Sequence, residues 1–192
     1  MSVRRPPFVQ DHVPTHGTRD AKFITLHTTE GIGTVESYAA YFRRTADELG
    51  SSFLVEQKGR VGIYVATLDQ RTYHVKGHNS DMIGIEQAGF ARTSRNDWLT
   101  KYRRQLMATA WTIAWLCDEL SIPCILAANN KRQMLHTKGV LQHSQVPGND
   151  HTDCGPGYPI DQVMEWAQKW TRTGGPTRGT RLYIKTGIRL SK

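Results

Sequence analysis

Between Asp97 and Leu120 the apolar residues Leu99, Tyr102, Leu106, Ala110, Ile113, Leu116, Cys117 and Leu120 recur at the spacing of one helix face, and Ser121-Ile122-Pro123 comes directly after. Proline cannot donate the next helical hydrogen bond and forces its predecessor out of the helical region, so the pattern predicts one long helix that stops there. Around it lie short runs of strand-forming residues. Phe23 to His27 reads as a buried strand, Ser51 to Val55 and Arg60 to Ala66 as a hairpin through Gln57-Lys58-Gly59, and Met82 to Gln87 as another strand. Thr34 is a candidate cap for a first helix carrying Val35, Tyr38, Ala39, Phe42 and Ala46; Ile160, Val163, Met164 and Ala167 mark a last amphipathic helix reaching Trp170. With a short strand over Cys124 to Ala127 and an extended segment from Val140 to His143, the order is β-α-β-β-β-α-β-α. Strands and helices that each bury one side must cover one another, so the fold class is α/β: a mixed central β-sheet flanked by helices in a single domain.

Residues 1–22 are rich in proline, arginine and histidine without periodicity and read as an irregular N-terminal segment; 23–172 form the domain. Gly174-Gly175-Pro176 opens a basic C-terminal tail, 173–192, with no acidic residue and with Arg178, Arg181, Lys185, Arg189 and Lys192. The surplus of 25 Lys and Arg over 17 Asp and Glu gives +8, a balance that suits nucleic acid, an anionic membrane face or an anionic polymer. No zinc-finger spacing or aromatic RNA platform accompanies it, so nucleic acid is not the expected partner. No stretch approaches the ~20 apolar residues of a membrane helix. Three cysteines, an odd number, with no apolar leader in Met1-Ser2-Val3-Arg4-Arg5-Pro6-Pro7, predict synthesis in the cytoplasm without a signal peptide and no disulfide framework.

Three side chains at strand ends or in loops have the chemistry of zinc ligands: His27, His143 and Asp153. A catalytic zinc site takes three protein ligands at roughly 2.0–2.3 Å and keeps a fourth position open. His27 ends an apolar strand and is followed by Thr28, Thr29, Gly31 and Gly33, where loops build sites. Pro147 and Gly148 allow the chain after His143 to loop back and bring a second group to the same ion. From spacing alone, His151, Asp153 and the soft thiol of Cys154 remain alternatives for the third ligand.

The segment Asn149-Asp150-His151-Thr152-Asp153-Cys154-Gly155-Pro156-Gly157-Tyr158 resembles the His/Lys-x-Asp-Pro-Gly-Pro-x-aromatic stretch of zinc-dependent N-acetylmuramoyl-L-alanine amidases, the superfamily that includes peptidoglycan recognition proteins. Phe23 to Thr29 is similar to that family's first ligand strand, Ser52 to Val55 with Lys58-Gly59 to its next strand and turn, and Tyr73-His74-Val75 to its Trp-His-Ala. Gly77-His78-Asn79 and Ile83-Gly84-Ile85-Glu86 resemble the family's Gly-x-Asn and Ile-Gly-Ile-Glu, in the same order along the chain. The resemblance implies zinc held by His27, His143 and Asp153, with Cys154 where the family usually has proline. It also implies hydrolysis of the amide between N-acetylmuramic acid and L-alanine in peptidoglycan. Glu86 would be the general base, alone, because the position where other branches carry a tyrosine reads Ser51. His151 would stabilise the oxyanion from beside the metal. Tyr73, His74 and Asn79 would line the substrate cleft, unless the Tyr-His pair caps a loop. In this reading the chain is a monomeric phage endolysin, made in the host cytoplasm and acting on the wall after release. The alternatives are a cytoplasmic amidase that recycles soluble muropeptides and a module that binds peptidoglycan without cutting it.

Overall fold

The computed structural model describes residues 2–45, 49–127 and 137–186. Six strands, β1 (Phe8–Gln10), β2 (Phe23–Thr28), β3 (Phe53–Val55), β4 (Val61–Ile63), β5 (Met82–Gln87) and β6 (Gly139–Gln142), form one sheet in the order β1-β4-β3-β5-β2-β6. Only the β3–β4 hairpin is antiparallel; the other four pairings are parallel. The helices are α1 (Val35–Thr45), α2 (Arg95–Thr100), α3 (Arg103–Glu119), α4 (Ile160–Thr173) and α5 (Arg178–Thr186). The expected mixed sheet flanked by helices is the architecture observed.

Every residue of β2 and β5 is buried, because helices and loops cover both faces of the sheet's centre. Side chains alternate across a strand, and the two faces separate cleanly. Ile24, Leu26, Phe53, Val55, Ile83 and Ile85 point to the main core with α3, α4 and α5. Leu54 points the other way, into a second core built by Val35, Ala39 and Phe42 of α1 with Tyr64. By that parity His27, paired in register with Glu86, lies on the α1 side of the sheet. α3 runs between the sheet and α4, so residues 105–117 are all buried, not just one stripe. Its Gln105 amide donates to the carbonyls of Val55 and Ala88 at 2.8 and 3.0 Å and thereby satisfies two strand ends.

Several local expectations change in three dimensions. The helix read from Asp97 to Leu120 is two, α2 and α3, meeting at Lys101-Tyr102. Ser94 caps α2 by accepting from Asp97 N at 3.1 Å, and the bend seats fully buried Trp98 edge-on against Tyr102 and Tyr158. The N-terminal segment 1–22 is not wholly irregular. Its residues 8–10 make β1, pairing with β4 across the chain, and the Phe8 ring packs on Phe53 and Trp115. Nor is the basic segment 173–192 only a tail: α5 lies on α3 with Ile184 buried in the main core. Cys124 to Ala127 contributes a single bridge, Leu126 to Val140, instead of a strand. Ala46, Arg189 and Lys192 lie outside the described residues.

Candidate metal centre

Two local devices deliver the histidines. β2 ends beside the sheet's edge loops and presents His27; β6 ends at Gln142, after which a single 3-10 turn, residues 143–145, swings His143 to the same point. Gln142 and Gln145 brace that turn as a capping box, and the Asn149 side-chain amide donates to the carbonyls of His143 and Val146. Ser144 N donates to the Asp153 carbonyl at 2.9 Å, which closes the loop the prolines and glycines permit. Gly155 allows the chain to continue, since at φ +87° a Cβ there would meet the Ala91 carbonyl.

His27 Nδ1 lies 3.1 Å from His143 Nδ1 and 3.3 Å from Asp153 Oδ2, and His143 Nδ1 lies 3.2 Å from Asp153 Oδ1. Tetrahedral zinc bonded at ~2.0–2.1 Å separates its ligand atoms by about 3.3 Å, and the two imidazoles and the carboxylate are already spaced on that scale. All three residues are buried. Burial pushes Asp153 upward, but hydrogen bonds and charge from His143 and His27 outweigh it and hold the carboxyl well below its usual range. Burial lowers His27, an effect the Asp153 hydrogen bond only partly offsets. An ionised carboxylate beside a neutral imidazole is the protonation pattern a metal requires, and this donor set fits zinc.

Cys154 faces away. Its thiol is buried in the main core, where burial pushes its pKa well above the ordinary value, and its Sγ accepts from Gln87 Nε2 at 3.7 Å. The same Gln87 side chain accepts from Tyr158 OH at 2.8 Å and Thr109 Oγ1 at 3.1 Å, and donates to the His27 carbonyl at 3.4 Å. Of the three alternatives for the third position, the structure groups Asp153 with the histidines. His151 stands at the rim, 61% of its side chain exposed, stacked on the His143 ring at 4.1 Å with Nδ1 3.6 Å from Asp153 Oδ1.

Glu86 lies next to His27 on β5, 5% exposed, and its Oε2 has no hydrogen-bond partner among the described residues. Burial, with the charges of Asp153 and Glu30, raises its pKa from 4.5 to about 8. A buried carboxyl with an unpartnered oxygen is costly to the fold, and this one faces the groove beside His27.

The cleft residues sit differently from one another. Tyr73 lines the groove and stacks on His16 at 4.0 Å. Asn79 lines it too, but its Oδ1 accepts from both His74 N and Val75 N at 2.8 Å, so it also ties the loop from 73 to 79. His74 forms part of the groove's floor, yet it is buried and both ring nitrogens are engaged by His27 and Met82. Gly84 makes room for it: a Cβ there would lie 2.8 Å from the ring.

The groove has a volume of about 1370 Å³ and passes over His27, Glu86, His143 and Asp153. Its opposite wall comes from residues not singled out by sequence: Glu30 and Ile32 after β2, and Tyr38 and Tyr41 of α1. Tyr38 reads as a core position of the α1 stripe, but its hydroxyl donates to Thr29 Oγ1 at 2.7 Å. Ile32 and Tyr41 are 65% and 39% exposed, an available signal being apolar residues in a polar loop and off the helix stripe.

A mainly parallel sheet with two histidines and a carboxylate gathered beyond the ends of its strands, in the floor of a groove, defines an α/β domain with one buried donor group of the kind that holds a metal ion. The chain belongs to the N-acetylmuramoyl-L-alanine amidase family, whose model matches residues 17–157. Among curated proteins none matches it in sequence. Its fold is similar to the N-acetylmuramoyl-L-alanine amidase LysC of Clostridium intestinale URNW (14% identity, 84% of this chain and 97% of that one, TM-score 0.62). It is similar to a mutant endolysin from Bacillus subtilis (18% identity, 89% and 100% covered, TM-score 0.55). It is also similar to the Drosophila peptidoglycan recognition protein PGRP-SA (15% identity, 85% and 93% covered, TM-score 0.58).

Proposed function

We propose that this protein is a zinc-dependent peptidoglycan amidase of the phage endolysin type, hydrolysing the amide between the N-acetylmuramic acid lactyl group and L-alanine. The observation that carries the proposal is the buried His27–His143–Asp153 donor set with Glu86 on the adjacent strand, whose Oε2 has no hydrogen-bond partner among the described residues. Those three residues would hold zinc, which when bound would supply a Lewis acid for the amide carbonyl and lower the pKa of water there. Glu86, once ionised, accepts a proton from the attacking water and returns it to the departing alanine nitrogen, a contribution worth ~10²–10⁴-fold. His151, on the exposed rim, donates a hydrogen bond to the carbonyl oxygen as it gains charge. The groove orients the glycan and the stem peptide on either side of that bond, with Tyr41 and Ile32 offering apolar surface to the substrate. The fold's likeness to endolysins is consistent with a lytic role, and the net charge of +8 suits an anionic wall.

The test is digestion of purified peptidoglycan by zinc-loaded protein, with mass spectrometry of the soluble products. Stem peptides with a free N-terminal alanine are expected. Glycan or peptide-bond cleavage instead would refute the assigned bond, and retention on peptidoglycan without any release would make the chain a recognition module.

A further inference from the structure

We infer that His74 is a positioning residue for His27: it accepts from His27 Nε2 and so fixes the ring with Nδ1 turned toward His143 and Asp153, where a bound metal would take the Nδ1 lone pair. The purpose of this arrangement rests on the proposed metal site; the hydrogen-bond chain does not.

The chain of bonds starts at a backbone carbonyl. His74 Nε2 lies 3.2 Å from the Met82 oxygen, and a carbonyl can only accept, so the proton is on Nε2. The same oxygen accepts from the Arg19 guanidinium at 3.2 Å. Arg19 is itself buried and also donates to Ser52 Oγ and to the carbonyls of Leu68 and Gln70. Among the described residues, the groups facing the His74 ring are a fixed guanidinium, the Met82 carbonyl, the Gly84 backbone and the His27 ring, with no carboxylate bonded to it. A second proton on His74 would place a buried positive charge beside another with nothing to compensate it. His74 Nδ1 is then an acceptor, and the atom it meets is His27 Nε2 at 3.1 Å. Two bare nitrogens at that distance would repel, so His27 Nε2 carries the proton. Ligand histidines commonly donate their second nitrogen to a carbonyl or carboxylate; here the acceptor is a second imidazole locked by a carbonyl and an arginine. That explains why a histidine stands over Gly84 with both nitrogens spent.

The test needs no turnover. Long-range proton–nitrogen NMR on the uniformly labelled wild type should show His74 protonated at Nε2 and bare at Nδ1, His27 protonated at Nε2, and a coupling between the two nitrogens across the hydrogen bond. In chelator competition, His74→Phe, which fills the space without an acceptor, should weaken zinc binding ~10–100-fold. His74→Asn, whose amide oxygen takes the place of Nδ1, should recover most of that loss. His74 protonated at Nδ1, His27 bare at Nε2, or equal zinc affinity in wild type and His74→Phe would overturn the inference; a poorly folded Phe variant leaves the NMR and the Asn variant to decide. Failure of the wild type itself to bind zinc would sink the metal reading, and the NMR pattern would still decide the tautomer.

Discussion

Glu86→Gln separates stability from catalysis in one substitution. In metal-free protein the folded state holds the Glu86 proton up to about pH 8, whereas the unfolded chain releases it near 4.5. Below the lower value both states are protonated and the group costs nothing. As pH rises from there, only the unfolded state gains by ionising, so stability is progressively lost until the folded carboxyl also ionises near pH 8. At ~1.4 kcal/mol per unit the full penalty is at most about 5 kcal/mol, and relaxation or water entry reduces it. Glutamine has nearly the same shape and does not titrate. Urea unfolding in chelator, followed by circular dichroism, should therefore give a wild-type minus variant difference that shifts in favour of Gln by ~2–5 kcal/mol between about pH 5 and about pH 8.5. Comparing the two proteins at each pH cancels other titrating groups such as Asp153. The zinc-loaded variant should keep its metal and lose ~10²-fold or more in turnover on soluble muropeptides. A stability difference that does not move with pH, or turnover close to wild type, would refute the assignment of Glu86 as a buried, proton-holding base.

Metal analysis should find one zinc per wild-type chain, and His27→Ala or His143→Ala should each abolish stoichiometric binding. Asp153→Ala should lose metal as well, whereas Cys154→Ala should keep it and cost only ~1–2 kcal/mol for a small cavity in the core; a zinc–sulfur bond would reverse the pair. Ile184→Ala, in the helix the basic segment forms, should destabilise the whole domain by ~2–4 kcal/mol in denaturant melts, because that side chain is buried against the α3 core. Tyr41→Ala, on the exposed groove wall, should raise KM on wall fragments severalfold with kcat nearly unchanged; a fall in kcat alone would place Tyr41 nearer the chemistry.

Local pattern determined more of this protein than distance along the chain suggests. Phe23 to His27 and Met82 to Gln87 were legible as strands because β-branched and apolar runs bounded by turns carry their own signal, and α1 and α4 were legible from helical spacing. The loop at 149–158 offered His151, Asp153 and Cys154 as alternatives, and its resemblance to the family's motif pointed to Asp153. What sequence could not decide depended on non-local neighbours. β1 has only three residues and exists because β4 offers an edge; α5 exists because α3 offers an apolar face to Ile184; α2 breaks from α3 because Trp98 finds its pocket beside Tyr158. The choice between Asp153 and Cys154 is a matter of which adjacent side chain faces His27 and His143 and which faces the core, and the tertiary path of the loop sets it. His74 obeyed the same rule: its residue type suggested a cleft, but the Met82 carbonyl, Arg19 and Gly84, remote in sequence or on another strand, placed it behind His27. Periodicity and turns are short-range and are written in the chain, whereas the partner of each buried polar group is set by the fold, since only packing brings it within hydrogen-bond reach.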